Sequence, residues 1–368
     1  MLTLDAEPAR LLRARAQGIG DGRRAGSVAD AIAGAFAVQA QDLPAAALGL
    51  RARAAGLSAD TVRRAMNVER SVVRGWFMRG TLYLVPAADA RWLTGLFGPL
   101  VLRQSERRYR ELGLDARMLS RAEKLITSAL SVDGPLTRAE LAGRLAAGGL
   151  PAAGQVPFHL IRRAALAGVL CHGPVAEDGE ASYVLFDSWL PAPAAELDGD
   201  LAALRLARRY LASHGPAALE DFSTWSGLAV PVARRAWQAM LDTGDYVECE
   251  LAGRPCLQPA ADWDQLAPSG DLRLLPAYDN YLVGYRTRRL AVAPEYERQV
   301  WPGGGQIRAT LSVDGLIRGL WSRQDRGRAI SVTPFGQLPA ELAGALEAEQ
   351  QDVLRFTGAA SEPGVTGG

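Results

Sequence analysis

The stretch "SVDGPLTRAELAGRLAAGGL", residues 131–150, combines a helix break, a short spacer and a small helix that ends at glycine. Gly-Pro interrupts the preceding helical pattern, and the glycine pair stops "TRAELAGRL". A second helical segment, "VPFHLIRRAALAGVL", follows, and the β-rich residues "SYVLF" come after the turn "EDGEA". The order helix, helix, helix, hairpin predicts a winged helix-turn-helix unit.

The same pattern recurs further along the chain. "ASHGPAALEDFSTWSGLAV", residues 212–230, has the Gly-Pro break and the short helix, and "PVARRAWQAMLDTG" follows as the next helix. "DYVECEL" and "GRPCLQ" then have the composition of a hairpin. The N-terminal part matches less well, with helical segments at about 27–41 and 58–66 before the strand-like "VVRGWFMRGTLYLVP". Tandem winged-helix units are therefore predicted, with a possible third copy near the N-terminus.

After about residue 270 short strand-like segments dominate, including "AISVTPF", and turns are expected at 303–305, 314–315 and 325–327. An amphipathic helix is predicted near Pro339 to Phe356. The expected fold class is α+β, with tandem winged-helix modules and a C-terminal antiparallel sheet or partial β-barrel. The predicted divisions are a winged-helix-like module at 1–125, winged-helix modules at 126–195 and 196–265, a β-rich region with a final helix at 266–357, and a disordered tail at 358–368.

Composition excludes several classes of protein. The chain has 368 residues, a formal net charge of +1 and a basic side made almost wholly of arginine, since Lys124 is the single lysine. The three cysteines form no CxxC pair and the three histidines have no usual metal spacing, so no metal site or cofactor is expected. No signal peptide and no apolar run of about 18 residues is present. A cytoplasmic, monomeric protein that does not act at a membrane is predicted.

Two glutamines in "AVQAQD" stand apart from the apolar run before them. That run begins at Ser27, a candidate N-cap, and on a continuous helix Gln39 would be buried while Gln41 would lie nearly opposite. Pro44 disfavours helical geometry at Leu43, so the chain is expected to leave the helix between Gln39 and Leu43. In an extended segment both amides share one side. The pair is then either a polar helix end with ordinary hydrogen bonds or a two-amide site in a cleft.

Four segments together carry a family resemblance: "VQAQD", "MRGTLYLVP", "LLPAYDNYLVGYRTR" and "VDGLIRGLWSR". In this order, over nearly the whole chain, they resemble the AlkZ-like tandem winged-helix DNA glycosylases, the family of the azinomycin B self-resistance enzyme. The resemblance implies that Gln39 and Gln41 form the family's catalytic Gln-x-Gln motif. The second glutamine, in place of aspartate, points to the crosslink-resistance branch. Tyr83 departs from the pattern, because many relatives have histidine there.

The resemblance also implies a reaction. The expected enzyme is a monofunctional glycosylase that excises bulky N7-alkylguanine or N3-alkyladenine from double-stranded DNA, unhooks interstrand crosslinks and gives self-resistance to a genotoxic natural product. Such alkylated bases are cationic and leave readily, so two amides that hold a water and the deoxyribose would suffice. A Schiff-base mechanism is not expected, because Lys124 has the context of a solvated helix residue.

Three groups of residues are predicted to contact DNA. Arginines on one helix could follow phosphates, although a solvated helix with acidic partners is an equally simple explanation. Tyrosines interleaved with arginines resemble a stacking surface, against which stands a strand with core tyrosines. Alternating side chains on a strand would face the glutamines, although a half-exposed strand would show the same pattern. The predicted DNA-binding residues are, in these groups, Arg103, Arg107, Arg108 and Arg110; Tyr281, Arg286 and Arg288; and Arg79, Thr81 and Tyr83.

Two other functions fit the same modules. A non-catalytic winged-helix regulator would read sequence through its recognition helices, and a damage-shielding protein would bind adducts without cutting them. Tandem units in one chain reduce the need for a symmetric dimer, and the glutamine pair lies outside the two clearest recognition helices. A broad, open cleft is expected for the glycosylase, because a base tethered to the opposite strand cannot be flipped into a closed pocket.

Overall fold

The computed structural model describes residues 2–21, 24–176, 179–192, 197–260 and 266–358. These residues form two compact units: an outer unit within Met1–Val62 and Leu204–Gly368, and a middle unit, Arg63–Ala203. The division is coarser than the predicted modules, and the module boundaries stay predictions. No helix of the described residues is long and apolar enough to span a membrane.

Helices make up about half of the described chain. They are α1 (Ala6–Ala16), α2 (Val28–Ala35), α3 (Leu43–Arg53), α4 (Ala59–Asn67), α5 (Ala87–Glu111), α6 (Ala116–Asp133), α7 (Arg138–Ala147), α8 (Val156–Leu166), α9 (Phe186–Trp189), α10 (Gly199–His214), α11 (Leu219–Ser226), α12 (Val230–Leu241), α13 (Asn280–Val283), α14 (Glu297–Val300) and α15 (Ala343–Phe356).

The strands are short and belong to small sheets, as expected for an α+β protein. They are β1 (Leu2–Leu4), β2 (Val38–Gln39), β3 (Val72–Trp76), β4 (Leu82–Pro86), β5 (Leu136–Thr137), β6 (Leu170–Val175), β7 (Ala181–Leu185), β8 (Tyr246–Leu251), β9 (Arg254–Pro259), β10 (Leu272–Leu275), β11 (Thr310–Val313), β12 (Leu316–Gln324) and β13 (Ala329–Pro334).

The middle unit contains a winged-helix arrangement that begins at α6. The elements α6, β5, α7, α8, β6 and β7 follow in order, and the antiparallel sheet has the strand order β5–β7–β6. Thr137 caps α7: its hydroxyl accepts from the Glu140 amide while the Glu140 carboxylate accepts from the Thr137 amide. Leu141 and Leu160 are buried where these helices pack on the wing. The sequence pattern from residue 131 is confirmed as helix, helix, helix, hairpin.

A second copy follows in the outer unit. Helix α10 leads into α11, α12 and the antiparallel hairpin β8–β9, and β1 adds a parallel strand beside β8. Helix α11 ends at Gly227, whose φ of 72° closes the turn before α12. The poorer N-terminal match has the same order along the chain, α2, β2, α3, α4, β3, β4. The single helix expected at 27–41 is wrong, because α2 ends at Ala35.

The C-terminal region contains the predicted antiparallel sheet. Its strand order is β10–β11–β12–β13, and the sheet is open, not a closed barrel. "YDNYLV" is not a strand as expected: α13 forms there, with the Asp279 side chain accepting from the Tyr281 amide. Helix α15 confirms the predicted last helix. Apart from Gly358, the predicted disordered tail lies outside the described residues.

Two buried histidines make stability depend on pH. His172 lies between Trp76 and Tyr183, and His214 stacks on Tyr210 with ring centroids 4.5 Å apart. Burial lowers the pKa of each histidine to about 3. The unfolded chain therefore binds more protons as pH falls below about 6.5, and the free energy of unfolding should drop by about 1.4 kcal/mol per pH unit for each histidine until about pH 3.

This acid lability can be measured by urea unfolding between pH 7.5 and 4. His214→Asn should weaken the pH dependence relative to wild type, even if it lowers stability at pH 7.5. An unchanged slope in this variant would contradict a neutral, buried His214.

Candidate active site at the paired glutamines

The turn before the glutamines is strained. Ser27 caps α2 as expected, and its hydroxyl accepts from the Asp30 amide at 3.1 Å. Helix α2 ends at Ala35, and the next two residues, Phe36 and Ala37, have φ of 37° and 62°. Non-glycine residues in this region each cost of the order of 1–3 kcal/mol, so the surrounding structure must hold the turn in place.

The start of α3 corrects the expectation about the proline. Pro44 lies in the first turn of α3, where its missing N–H would be unpaired in any helix. The Asp42 side chain caps this helix by accepting from the Ala45 amide at 3.0 Å. The proline therefore begins a new helix, and the earlier helix ends before Gln39 instead of between Gln39 and Leu43.

The two amides share one side, as the extended alternative predicts. Gln39 lies in β2 and is half-buried, Ala40 is fully buried, and Gln41 is exposed. Gln39 Nε2 donates to Gln41 Oε1 at 2.5 Å. The pair therefore has an acceptor, Gln39 Oε1, at one end and a donor, Gln41 Nε2, at the other. It is not sealed in a hydrophobic interior.

The side chain of Phe36 anchors the strained turn in the outer unit. Phe36 is 0% exposed, its ring centroid lies 6.3 Å from that of Trp225, and the Arg209 guanidinium carbon lies 4.6 Å from it. Trp225 belongs to α11 and Arg209 to α10. The helices of a winged-helix unit therefore help to hold the approach to the glutamines.

The expectation that Arg79, Thr81 and Tyr83 alternate along one strand is wrong. Met78–Gly80 forms a tight turn in which Arg79 has a φ of 55°, and β4 begins only at Leu82. Arg79 is exposed, and its Nη2 donates to the Tyr83 hydroxyl at 3.0 Å. Tyr83 is 0% exposed, so its ring cannot contact DNA in this structure. The half-buried Thr81 donates to the Met78 carbonyl at 3.1 Å, and DNA contacts of Arg79 and Thr81 stay predictions.

Helix α5 carries the four arginines predicted to follow phosphates. Arg103, Arg107 and Arg110 are exposed, and their spacing places them on one face of the helix. Glu111 accepts from Arg107 Nε at 2.8 Å and from Arg108 Nη1 at 3.2 Å. The helix is confirmed, and its contact with phosphates stays a prediction.

The tyrosine and arginine segment near α13 is mostly structural. Tyr281 is 1% exposed and donates to the Gly315 carbonyl at 2.7 Å, so the prediction that it stacks on DNA is wrong. Arg288 is half-buried, with Nε donating to the Leu282 carbonyl at 3.2 Å and its guanidinium over Trp301. Arg286 presents an exposed side chain, and its contact with DNA stays a prediction. The competing explanation, core tyrosines, is correct for Tyr281, although the backbone there is helical.

Comparison with known proteins supports the resemblance. Residues 32–356 match the family model described as DNA glycosylase AlkZ-like. The chain belongs to the AlkZ-like DNA glycosylase family. Among solved structures it is similar to the Streptomyces sahachiroi DNA glycosylase AlkZ, with 26% identity and a TM-score of 0.82 over 98% of this chain and 99% of that one. No curated protein matches the sequence.

This AlkZ-like glycosylase also has exposed arginines that the sequence did not single out. The hairpin β12–β13 carries Arg323, Arg326 and Arg328 around its tip, all exposed. Helix α12 exposes Arg234 and Arg235. The segment "SRQDRGR" contains the three hairpin arginines, but its pattern predicts only a turn and does not show that the residues around it form an exposed hairpin tip.

Proposed function

We propose that the chain hydrolyses the N-glycosidic bond of bulky N7-alkylguanine and N3-alkyladenine in double-stranded DNA, and unhooks interstrand crosslinks made through such bases. The observation that carries the proposal is the amide pair of Gln39 and Gln41, hydrogen-bonded side by side after a strained turn. Membership of a DNA glycosylase family supports hydrolysis over regulation or shielding. The biological role would be self-resistance to a genotoxic natural product, in a cytoplasmic monomer.

Hydrolysis of a cationic alkylated base requires that water and sugar be positioned correctly, and it does not require a strong general acid or base. A water oxygen attacks the anomeric carbon, the bond from that carbon to the base nitrogen breaks, and its electron pair neutralises the cationic base. The water proton passes to solvent. Gln39 Oε1 can accept from the water while Gln41 Nε2 donates to a sugar or phosphate oxygen. Amides are poor bases, so ordinary neutral purines should remain intact.

Exposure of the pair suits a large adduct. Gln41 is exposed and Gln39 is half-buried, so a lesion can approach without entering a closed pocket. Base flipping into a snug site would exclude a purine that is tethered to the opposite strand. This supports bulky and crosslinked substrates over small methylated bases.

The decisive assay uses purified protein and a duplex with one stable 7-alkylguanine. Release of free base with an alkali-labile abasic site supports the enzyme, and a crosslinked duplex tests unhooking. Lesion binding without release supports a shielding protein. Preference for one sequence, with no effect of the lesion, supports a regulator. A neutral purine in the same sequence is the matched control.

DNA binding should weaken steeply with salt although the net charge is only +1. Local arginine clusters neutralise phosphates, and the slope of log affinity against log salt counts them at about 0.9 per phosphate. Arg107→Ala with Arg108→Ala should reduce the slope by about 1 to 2. Arg144→Ala is the control, because Arg144 has a similar exposed ion pair, 2.7 Å from Asp133. Equal slopes for wild type and the double variant would show that Arg107 and Arg108 on α5 do not neutralise phosphates.

A further inference from the structure

A buried asparagine holds the end of the helix that precedes the glutamines. Asn280 is 0% exposed, and its Nδ2 donates to the Ala35 carbonyl at 2.9 Å and to Gln17 Oε1 at 3.3 Å. Ala35 is the last residue of α2, where carbonyls lack helical partners. The asparagine therefore donates a hydrogen bond to a carbonyl at the end of α2, at the point where the chain turns toward Gln39.

Strain occurs on both sides of this hydrogen bond. Phe36 and Ala37 follow Ala35 with positive φ, and Tyr278 lies two residues before Asn280 with a φ of 58°. None of these residues is glycine, so each turn is held by its surroundings and not by backbone preference. The Asn280 amide joins the two strained turns.

The asparagine is itself fixed by a buried ion pair. Arg53 is 2% exposed, and its Nη1 and Nη2 donate to the two Asp279 oxygens at 2.9 and 2.8 Å. Arg53 Nη2 also donates at 3.0 Å to Gln17 Oε1, which the Asn280 amide shares. A bidentate arginine–carboxylate pair fixes the relative orientation of the two side chains as well as their distance. Since Arg53 ends α3, the helix after the glutamines and the helix before them meet in one network.

We propose that Asn280 is a positioning residue for base excision: through the Ala35 carbonyl it sets the direction in which the Gln39 and Gln41 amides face the substrate. This inference rests on the proposed function of the glutamine pair. It explains why an Asp-Asn pair lies in a segment that gives no stacking surface for DNA. Asn280 does not touch the substrate, and its effect passes through the backbone of residues 35–39.

Asn280→Ala should slow single-turnover excision of a 7-alkylguanine by about 10²-fold, as expected when a reacting group is misplaced by about 1 Å. The dissociation constant for the lesion duplex should change less than twofold, because phosphate contacts remain. Tyr281→Phe is the matched control. It also removes one buried hydrogen bond from α13 to a backbone carbonyl, but on Gly315 and not on Ala35. Its excision rate should follow its folded fraction.

Three further measurements test the proposal, and the first applies even if the alanine variant does not fold. Asn280→Leu keeps a side chain of similar size and removes the donor, so the same loss is expected. Hydrogen exchange should increase in a peptide that spans residues 35–43 in the Asn280 variants and not in Tyr281→Phe. Adding Asn280→Ala to a Gln39→Ala and Gln41→Ala background should cause little further loss.

The outcomes separate this inference from the proposed function. If wild type releases no alkylated base, or the glutamine variants keep full activity, the proposed function fails. If the glutamine variants are slow but the Asn280 variants lose activity only in step with stability, as Tyr281→Phe does, then Asn280 is merely structural and the inference is overturned.

Discussion

Replacing Gln39 or Gln41 with alanine is expected to slow single-turnover release of an alkylated base by about 10²- to 10³-fold, or roughly 2.7–4 kcal/mol of transition-state stabilisation. Folding and lesion binding should change little, because Gln41 is exposed and the lost interactions form mainly in the transition state. The double variant should be little slower than the slower single variant, as expected for groups that act together.

Gln337→Ala is the control for this experiment, since Gln337 is an exposed glutamine outside the site. Base release and melting temperature are measured on the same preparations. If the amides serve only the local backbone, alanine will lower the melting temperature and reduce activity only as far as the protein unfolds. Full activity with a lower melting temperature would show that the catalytic assignment is wrong.

Arg51→Met is expected to lower the free energy of unfolding by about 3–5 kcal/mol. Arg51 is 0% exposed and donates to Glu349, to Asp352 and to the Leu274 carbonyl. Its removal takes one of two arginine partners from Glu349, which is 4% exposed and keeps the partly exposed Arg24 at 3.1 Å. Because Arg51 lies on α3 and both acids on α15, the two helices should separate more readily.

Denaturant unfolding measures this effect, and Arg107→Ala is the comparison. Arg107 also forms an ion pair, at 2.8 Å from Glu111, but its side chain is 86% exposed. Its loss should therefore change stability by at most about 1 kcal/mol. Adding Glu349→Leu to Arg51→Met should recover part of the loss, because a buried charge that has lost one of its two arginine partners is then gone. Equal effects of Arg51→Met and Arg107→Ala would contradict a structural role for the buried pair.

Local signals predicted much of this fold. The Gly-Pro breaks and the short helical segment "TRAELAGRL" are properties of neighbouring residues, and the structure has α7 at this place. The expectation for Pro44 is wrong because proline can either stop a helix or occupy the first turn of the next one, and here it does the second. The choice depends on Asp42, whose capping role only the folded chain shows.

The candidate site depended more on distant contacts. The family resemblance pointed to Gln39 and Gln41, and one of the two backbone alternatives that the sequence left open, the extended one, has both amides on one side as in the structure. No local pattern places Asn280 beside Ala35 or Tyr281 beside Gly315, since these partners are far apart in the chain. Interleaved tyrosine and arginine therefore resemble a nucleic-acid surface in the sequence, although Tyr281 is buried in the structure.

The division into units also sets an order of events during protein synthesis. The middle unit is one continuous segment, Arg63–Ala203, whereas the outer unit takes residues from both ends of the chain. A nascent chain that has grown through the middle unit already contains Gln39 and Gln41 but not Asn280, Trp225 or Glu349. Contacts between residues this far apart in the sequence form late, and chains that depend on them fold slowly. The glutamines therefore acquire their support only after residues 225–349 have been synthesised, and chains terminated before this stretch should carry the motif without its activity.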